Sequence, residues 1–174
     1  TLVQLLNRDY FTSYVVLNVI DELSALDATT FARYVGDFLP RISEPVYIVQ
    51  SKTRILCRLI AEETVEDVLA ALQPFTVHPS ADVVVMLVKT LLVVSQKNPA
   101  SSRLCLRVFT QLLDLRREDV AIARACLMGA DRLLHVLDEA AKREALVWMM
   151  KLVLEGARTP LYDGLLRLLL HHCA

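Results

Sequence analysis

The chain has 174 residues, enough to bury a substantial core, and 55% of them are apolar, above the usual soluble average of about 45–50%. Gly is scarce at 4 and Pro modest at 6, and strand-type alternation is rare, so the composition predicts helices packed on helices. Nineteen basic residues against twenty acidic ones give a net charge of −1, which argues against a nucleic-acid binder that works by neutralising phosphates.

In chain order, the first residues read as the end of a helix, broken at Asn7-Arg8-Asp9. Asp9 is placed to cap a helix from Tyr10 to Leu23. Asp27 precedes a shorter helix through Phe38, and Pro40 ends it, because the residue before a proline avoids helical geometry. Ser43-Glu44-Pro45 predicts another start, with a capping oxygen, an acid near the positive helix end and proline in the first turn. Thr64 is placed to cap Val65 to Gln73, with Asp67 forming a weak variant of the capping box.

Ser80 starts a helix through Lys97, and Asn98-Pro99 stops it. Ser101 or Ser102 opens the next, to Leu115. Arg116 to Asp119 is a charged turn before a helix from Val120 to Val136. Asp138 opens another that ends at Gly156, and Thr159-Pro160 repeats the cap-plus-proline pattern. Starts about 16 to 21 residues apart make, in pairs, a period of about 35 to 41. That period predicts an all-α fold: a right-handed α-solenoid of antiparallel helix pairs, HEAT- or armadillo-like, as one unit over 1–174. The chain reads as a piece cut from a larger protein.

Val46, Val49, Thr53, Leu56 and Ile60 fall on one helical face, while Ser51, Arg54 and Arg58 are expected to face away. Leu56 and Leu69 are predicted core positions, and Arg54 and Arg58 surface positions. The helix from Ala81 to Val94 is apolar nearly all round, which predicts burial on several sides. Its apolar run, interrupted by Lys89 and Thr90, falls well short of the ~20 residues that cross a bilayer.

The same reading finds no catalytic machinery. Gly36, Gly129, Gly156 and Gly164 are isolated, so no phosphate loop is formed. Cys57, Cys105 and Cys126 lie inside apolar patterns and read as reduced core thiols of a cytosolic protein; with Cys173 they make no Cys-x-x-Cys pair. His78 is read as a solvated turn residue. His135 falls near a helix end, where an imidazolium favours the negative dipole.

His171-His172-Cys173 is the one cluster of metal-ligand residue types. Adjacent helical histidines point about 100° apart, so a frayed terminus is expected there and not an ion. Asp21-Glu22, Glu62-Glu63 and Asp138-Glu139 are explained by helix ends and turns. Trp148 reads as a core or interlayer anchor. No catalytic, cofactor or metal residue is expected.

The stretch from Ser43 to Phe75, SEPVYIVQSKTRILCRLIAEETVEDVLAALQPF, resembles a recurring segment in the trunk of β-adaptins, the large β subunits of heterotetrameric vesicle adaptor complexes. Glu44, Pro45, Tyr47, Ile48, Lys52, Leu59, Val68, Leu69 and Leu72 stand at matching positions. LLDLRRED, Leu112 to Asp119, and EALVWMM, Glu144 to Met150, are similar to the family as well. The similarity covers roughly Phe38 to Ala157 and is greatest to the β subunits of the fourth adaptor complex. Val49 and Lys151 depart from the family pattern, where Lys and Gly are usual.

The resemblance implies a non-enzymatic scaffold subunit of a vesicle coat, serving intracellular protein transport and cargo sorting. Its implied partners are the medium, small and second large adaptor subunits and an Arf-class small GTPase. No nucleic acid is implied, and membrane association is peripheral, through the complex, on trans-Golgi or endosomal membranes and coated vesicles. Two other readings fit the period: an unrelated HEAT-type scaffold of a chromatin or translation assembly, and an RNA-reading helical repeat, which lacks the basic pattern it would need.

Overall fold

The computed structural model describes residues 2–116, 118–155 and 160–173, and every regular element among them is helical. The α-helices are α1 (Tyr10–Leu26), α2 (Val46–Leu59), α3 (Val65–Leu72), α4 (Ala81–Lys97), α5 (Ser102–Leu115), α6 (Val120–Leu134), α7 (Glu139–Glu155) and α8 (Pro160–Cys173). Shorter 3-10 segments lie at Leu2–Asn7, Thr29–Phe38, Glu62–Thr64, Gln73–Val77 and Pro99–Ser101. The chain divides into two compact units, Thr1–Pro79 and Ser80–Ala174.

Two acids, Asp9 and Asp138, start helices as their positions predict, and Asp119, in the expected charged turn, does the same. Asp9 accepts the Thr12 N–H at 2.9 Å. Asp119 accepts from Ala121 and Ile122 at 3.1 and 3.2 Å, and Asp138 from Ala141 at 2.7 Å. Each carboxylate satisfies donors that the first helical turn leaves without a backbone partner. Elsewhere the capping differs. Pro45, not Ser43, is the cap residue of α2, and it has no side-chain bond to give. Thr64 precedes α3 but turns its hydroxyl back to the Ala61 N–H and carbonyl, so neither it nor Asp67 builds the expected box. The ends expected at Gly156 and the cap at Thr159 lie outside the described residues.

In the first unit α1 packs on α2, and the segment Thr29–Phe38 packs against α2 and α1. That segment is 3-10 rather than α-helix, with a kink at Tyr34. β-branched Thr29, Thr30 and Val35, together with Gly36, give it low helix propensity. Phe31, Val35 and Phe38 anchor it in the core beside Leu17, Ile20, Ile48, Ile55 and Leu56.

The polar face of α2 is not simply solvated. Ser51 is buried, Val46 is exposed, and Arg58 reaches across to α1. There it donates to the Asp21 carboxylate, to the Asp21 carbonyl at 2.9 Å and to the Ser24 hydroxyl at 3.1 Å. Arg54 pairs with the other Asp21 oxygen at 3.0 Å. Asp21 is buried, so its charge depends on these partners. Arg58 is therefore a clasp between two helices while staying exposed, as its position on the helical wheel predicts.

In the second unit α6 packs against α4, α5 and α8, and α8 also packs against α7. The expectation for α4 holds: only Asp82, Lys89, Gln96 and Lys97 along it are exposed. Close approach at α6 depends on Gly129, where an added Cβ would lie 2.7 Å from the ring of Phe109, itself fully buried. At Gly164 of α8 the added Cβ would meet Leu127 Cδ1 at 2.5 Å, the far end of a flexible side chain.

Two stability results are expected from urea unfolding. Leu56→Ala should cost about 2–5 kcal/mol, as for a fully buried leucine, and Leu69→Ala less, because Leu69 is only half-buried. Arg58→Ala should cost about 1–3 kcal/mol, the range for stranding a buried hydrogen-bonded acceptor. Arg54→Ala, at the exposed end of the network, should cost under about 1 kcal/mol. Equal effects of the two arginines would show that Asp21 is not held by Arg58.

A Gly129→Ala chain should lose stability. Its helix-propensity gain of about 1 kcal/mol is outweighed by forcing the Phe109 ring to move, at a cost of about 1–3 kcal/mol. Gly164→Ala should be neutral or stabilising in the same melts, since Leu127 can rotate away.

Candidate functional site

The strongest concentration of chemically competent side chains joins the C-terminal ends of α6 and α8. Asp131, in the last turn of α6, and His135, its C-cap residue, are spaced i, i+4, which places them on one face. His171 and His172 come from the last turn of α8. One ligand-capable atom from each of the four lies within 4.8 Å of those of the others. His172 Nε2 stands 3.0 Å from Asp131 Oδ1, and His171 Nδ1 stands 3.6 Å from the same oxygen.

The use of different ring nitrogens explains how neighbouring histidines converge. Their Cβ atoms point about 100° apart, but His171 presents its near nitrogen and His172 its far one. Both therefore reach a carboxylate that sits in the angle between them. The His135 ring completes the cluster, 5.6 Å from the His171 ring and 4.7 Å from the His172 ring. The His172 side chain is 3% exposed, and α8 continues through Cys173, so 171–172 are not a frayed end. The Cys173 side chain lies outside the described residues.

Burial alone would raise the Asp131 carboxyl pKa. The hydrogen bond from His172, the charges of His172 and His135 and the contact with His171 together outweigh burial and hold it below its usual value. Beside the cluster runs a groove of about 510 Å³ between α6 and α8. It is lined by Ala123, Leu127, Met128, Leu168 and the two arginines Arg124 and Arg167, and it reaches Asp131 and His171.

The cluster was only half visible in the sequence. His171-His172 stood out by residue type, and His135 by its place near a helix end. Asp131 was missed, although its Asp-x-x-x-His spacing with His135 was the available signal. His78 packs against the Phe75 ring at 6.1 Å and is only partly exposed. Trp148 is half-buried and lines a second groove with Arg103, Arg107 and Glu144, where Arg103 and Glu144 pair at 2.6 Å. Asp138 is a helix cap, and Asp21 is the helix clasp.

Two of the thiols, Cys105 and Cys126, are poor nucleophiles at neutral pH. Cys57, Cys105 and Cys126 are reduced, none of them in a disulfide. Burial pushes the Cys105 thiol up to about 11 and the Cys126 thiol up to about 12. Cys105 donates to the Leu91 carbonyl at 3.4 Å.

The Glu44-Pro45-Val46-Tyr47 motif also resolves into structural ties. Glu44 pairs with Lys52 at 2.5 Å, the two side chains 11% and 10% exposed, and accepts the Arg41 N–H at 2.9 Å. Tyr47 meets Tyr14 of α1 edge-on at 5.4 Å. No helix among the described residues is long and apolar enough to cross a membrane. No family model matches the chain, and no curated protein matches it.

Thiol alkylation of the native chain should separate the cysteines. Cys57, which is half-buried, should react first, with Cys105 and Cys126 protected until unfolding. Mass spectrometry of trypsin-digested, pulse-labelled protein reads the order directly. Early labelling of Cys126 would contradict its placement in the core.

Proposed function

We propose that this chain is a non-enzymatic scaffold, a portion of a β-adaptin-type trunk built as a right-handed α-solenoid. It would serve vesicle-mediated protein transport and cargo sorting by holding the other subunits of an adaptor complex. The observation that carries the scaffold reading is the outer face of α1. Phe11, Val15, Val19, Leu23 and Leu26 form a single apolar stripe at spacings of four and three, with Phe11 78% and Leu26 86% exposed. A contiguous exposed apolar face of this kind is the usual mark of a protein–protein contact.

Two further features support the adaptin-type solenoid. α6 packs on the helices two places away in either direction, α4 and α8, as well as on its neighbour α5. Repeat arrays in which each layer stacks on the next have this pattern of contacts. In addition, the residues that resemble the adaptin segment are used here as structural ties. Glu44 and Lys52 form a buried pair and Tyr47 joins α2 to α1, as befits a scaffold motif. In this reading the protein acts at the cytoplasmic face of trans-Golgi or endosomal membranes, attached peripherally through the complex and recruited by an Arf-class GTPase. It requires no cofactor and no nucleic acid.

Co-expression of the natural full-length protein with medium, small and second large adaptor subunits, followed by size-exclusion chromatography, tests the proposal. Co-elution of a heterotetramer is expected, weakened by the pair Phe11→Asp and Val15→Asp. Failure to assemble with any adaptor set, with co-elution in a chromatin or translation assembly instead, would favour an unrelated helical-repeat scaffold. A shifted RNA probe at physiological salt would overturn the protein-scaffold reading.

A further inference from the structure

We propose that Asp131, His135, His171 and His172 form a structural site for one transition-metal ion of the imidazole-preferring class, zinc foremost, which clips the C-terminal end of α6 to that of α8. Three imidazoles and one carboxylate match the nitrogen and oxygen donors that zinc takes in tetrahedral sites. A hard cation such as magnesium or calcium would instead require a set dominated by oxygen. Because the protein supplies four ligands, no position stays open for substrate water. That makes the site structural rather than catalytic.

The distances favour assembly with small movements. Tetrahedral coordination at metal–nitrogen distances of about 2.0–2.1 Å separates ligand atoms by about 3.3 Å. The Asp131 oxygen lies 3.0 Å from His172 Nε2 and 3.6 Å from His171 Nδ1, on either side of that value. The widest separation in the cluster, 4.8 Å, must close by roughly 1.5 Å. Rotation of His135 and His171, both exposed, can supply it without disturbing the core. His172 is already oriented by burial and by its contact with Asp131, so part of the site is preorganised.

Two more features point to a cation. α6 and α8 both end at this place, and the negative ends of two helix dipoles favour positive charge there. The adjoining groove, open along α6 and α8, gives an ion and its displaced water a route to the ligands. The apolar face of α1 that carries the scaffold proposal shares no residue with this cluster, so the site stands independently of that proposal.

The test is titration of the untagged chain, stripped with chelator, with zinc chloride in a calorimeter, and with cobalt chloride in a spectrophotometer. One zinc ion per chain is expected. Cobalt should give the intense visible bands of tetrahedral coordination, bleached by added zinc. His135→Ala and His171→Ala alter exposed side chains and should fold normally by circular dichroism. Each should lower zinc affinity by at least about ten-fold, as disturbing a metal site's ligation does, and should remove the tetrahedral cobalt spectrum. His172→Gln, tested in the same way, should abolish binding. No zinc binding by the parent chain would overturn the proposal. So would octahedral cobalt alone, or affinity unchanged in the two exposed variants.

Discussion

Helix α6 is the constraint on which the second unit depends. It buries Ile122, Cys126, Gly129 and Leu133 along one line and Ala123, Ala130 and Leu134 beside it, and it is packed on by α4, α5 and α8. A helix surrounded in this way must carry small residues where neighbours approach most closely. Gly129 and Ala130 do so, and the ring of Phe109 occupies the space that a larger residue at 129 would need. Most of the stabilisation is apolar area removed from water, at about 25 cal/mol per Å². The cluster of three histidines and one acid exists because that packing fixes where α6 ends relative to α8.

The charges that enter the interior follow the rule that a buried ion needs a partner. Asp21 is held by Arg58 and Arg54, and Glu44 by Lys52 and the Arg41 amide. Each arrangement joins segments that apolar contacts alone would leave free to slide. The Asp21 network sets α2 against α1, and Glu44 ties the turn before α2 to the body of the helix. Specificity of register is a better account of such pairs than net stability, because desolvation offsets much of their attraction.

The surface divides into regions with different chemistry. The outer face of α1 is apolar and suited to a neighbouring protein. The α6–α8 end gathers imidazole and carboxylate, and the α5–α7 groove combines arginines with Trp148 and an Arg103–Glu144 pair. None of these places sets a nucleophile beside a base among the described residues, and burial holds the Cys105 and Cys126 thiols in their protonated form.

Local chemistry was legible in the sequence by itself. The helical class, the caps at Asp9 and Asp138, the stop at Asn98-Pro99 and the burial of Leu56 and of most of α4 all follow from residues within about four positions of one another. The signals that failed, Ser43 and Thr64 as caps, failed because the helix began two residues later than Ser43 requires and because the Thr64 hydroxyl turned back to Ala61. Tertiary structure alone decided which charges are interior, because Arg58 finds Asp21 across 37 positions. It decided as well that Phe31, Val35 and Phe38 anchor the low-propensity segment Thr29–Phe38 in the core. It brought Asp131 to His172 across 41 positions, a meeting that no helical period encodes, because the angle and end of one helix against another are set by the side chains packed between them.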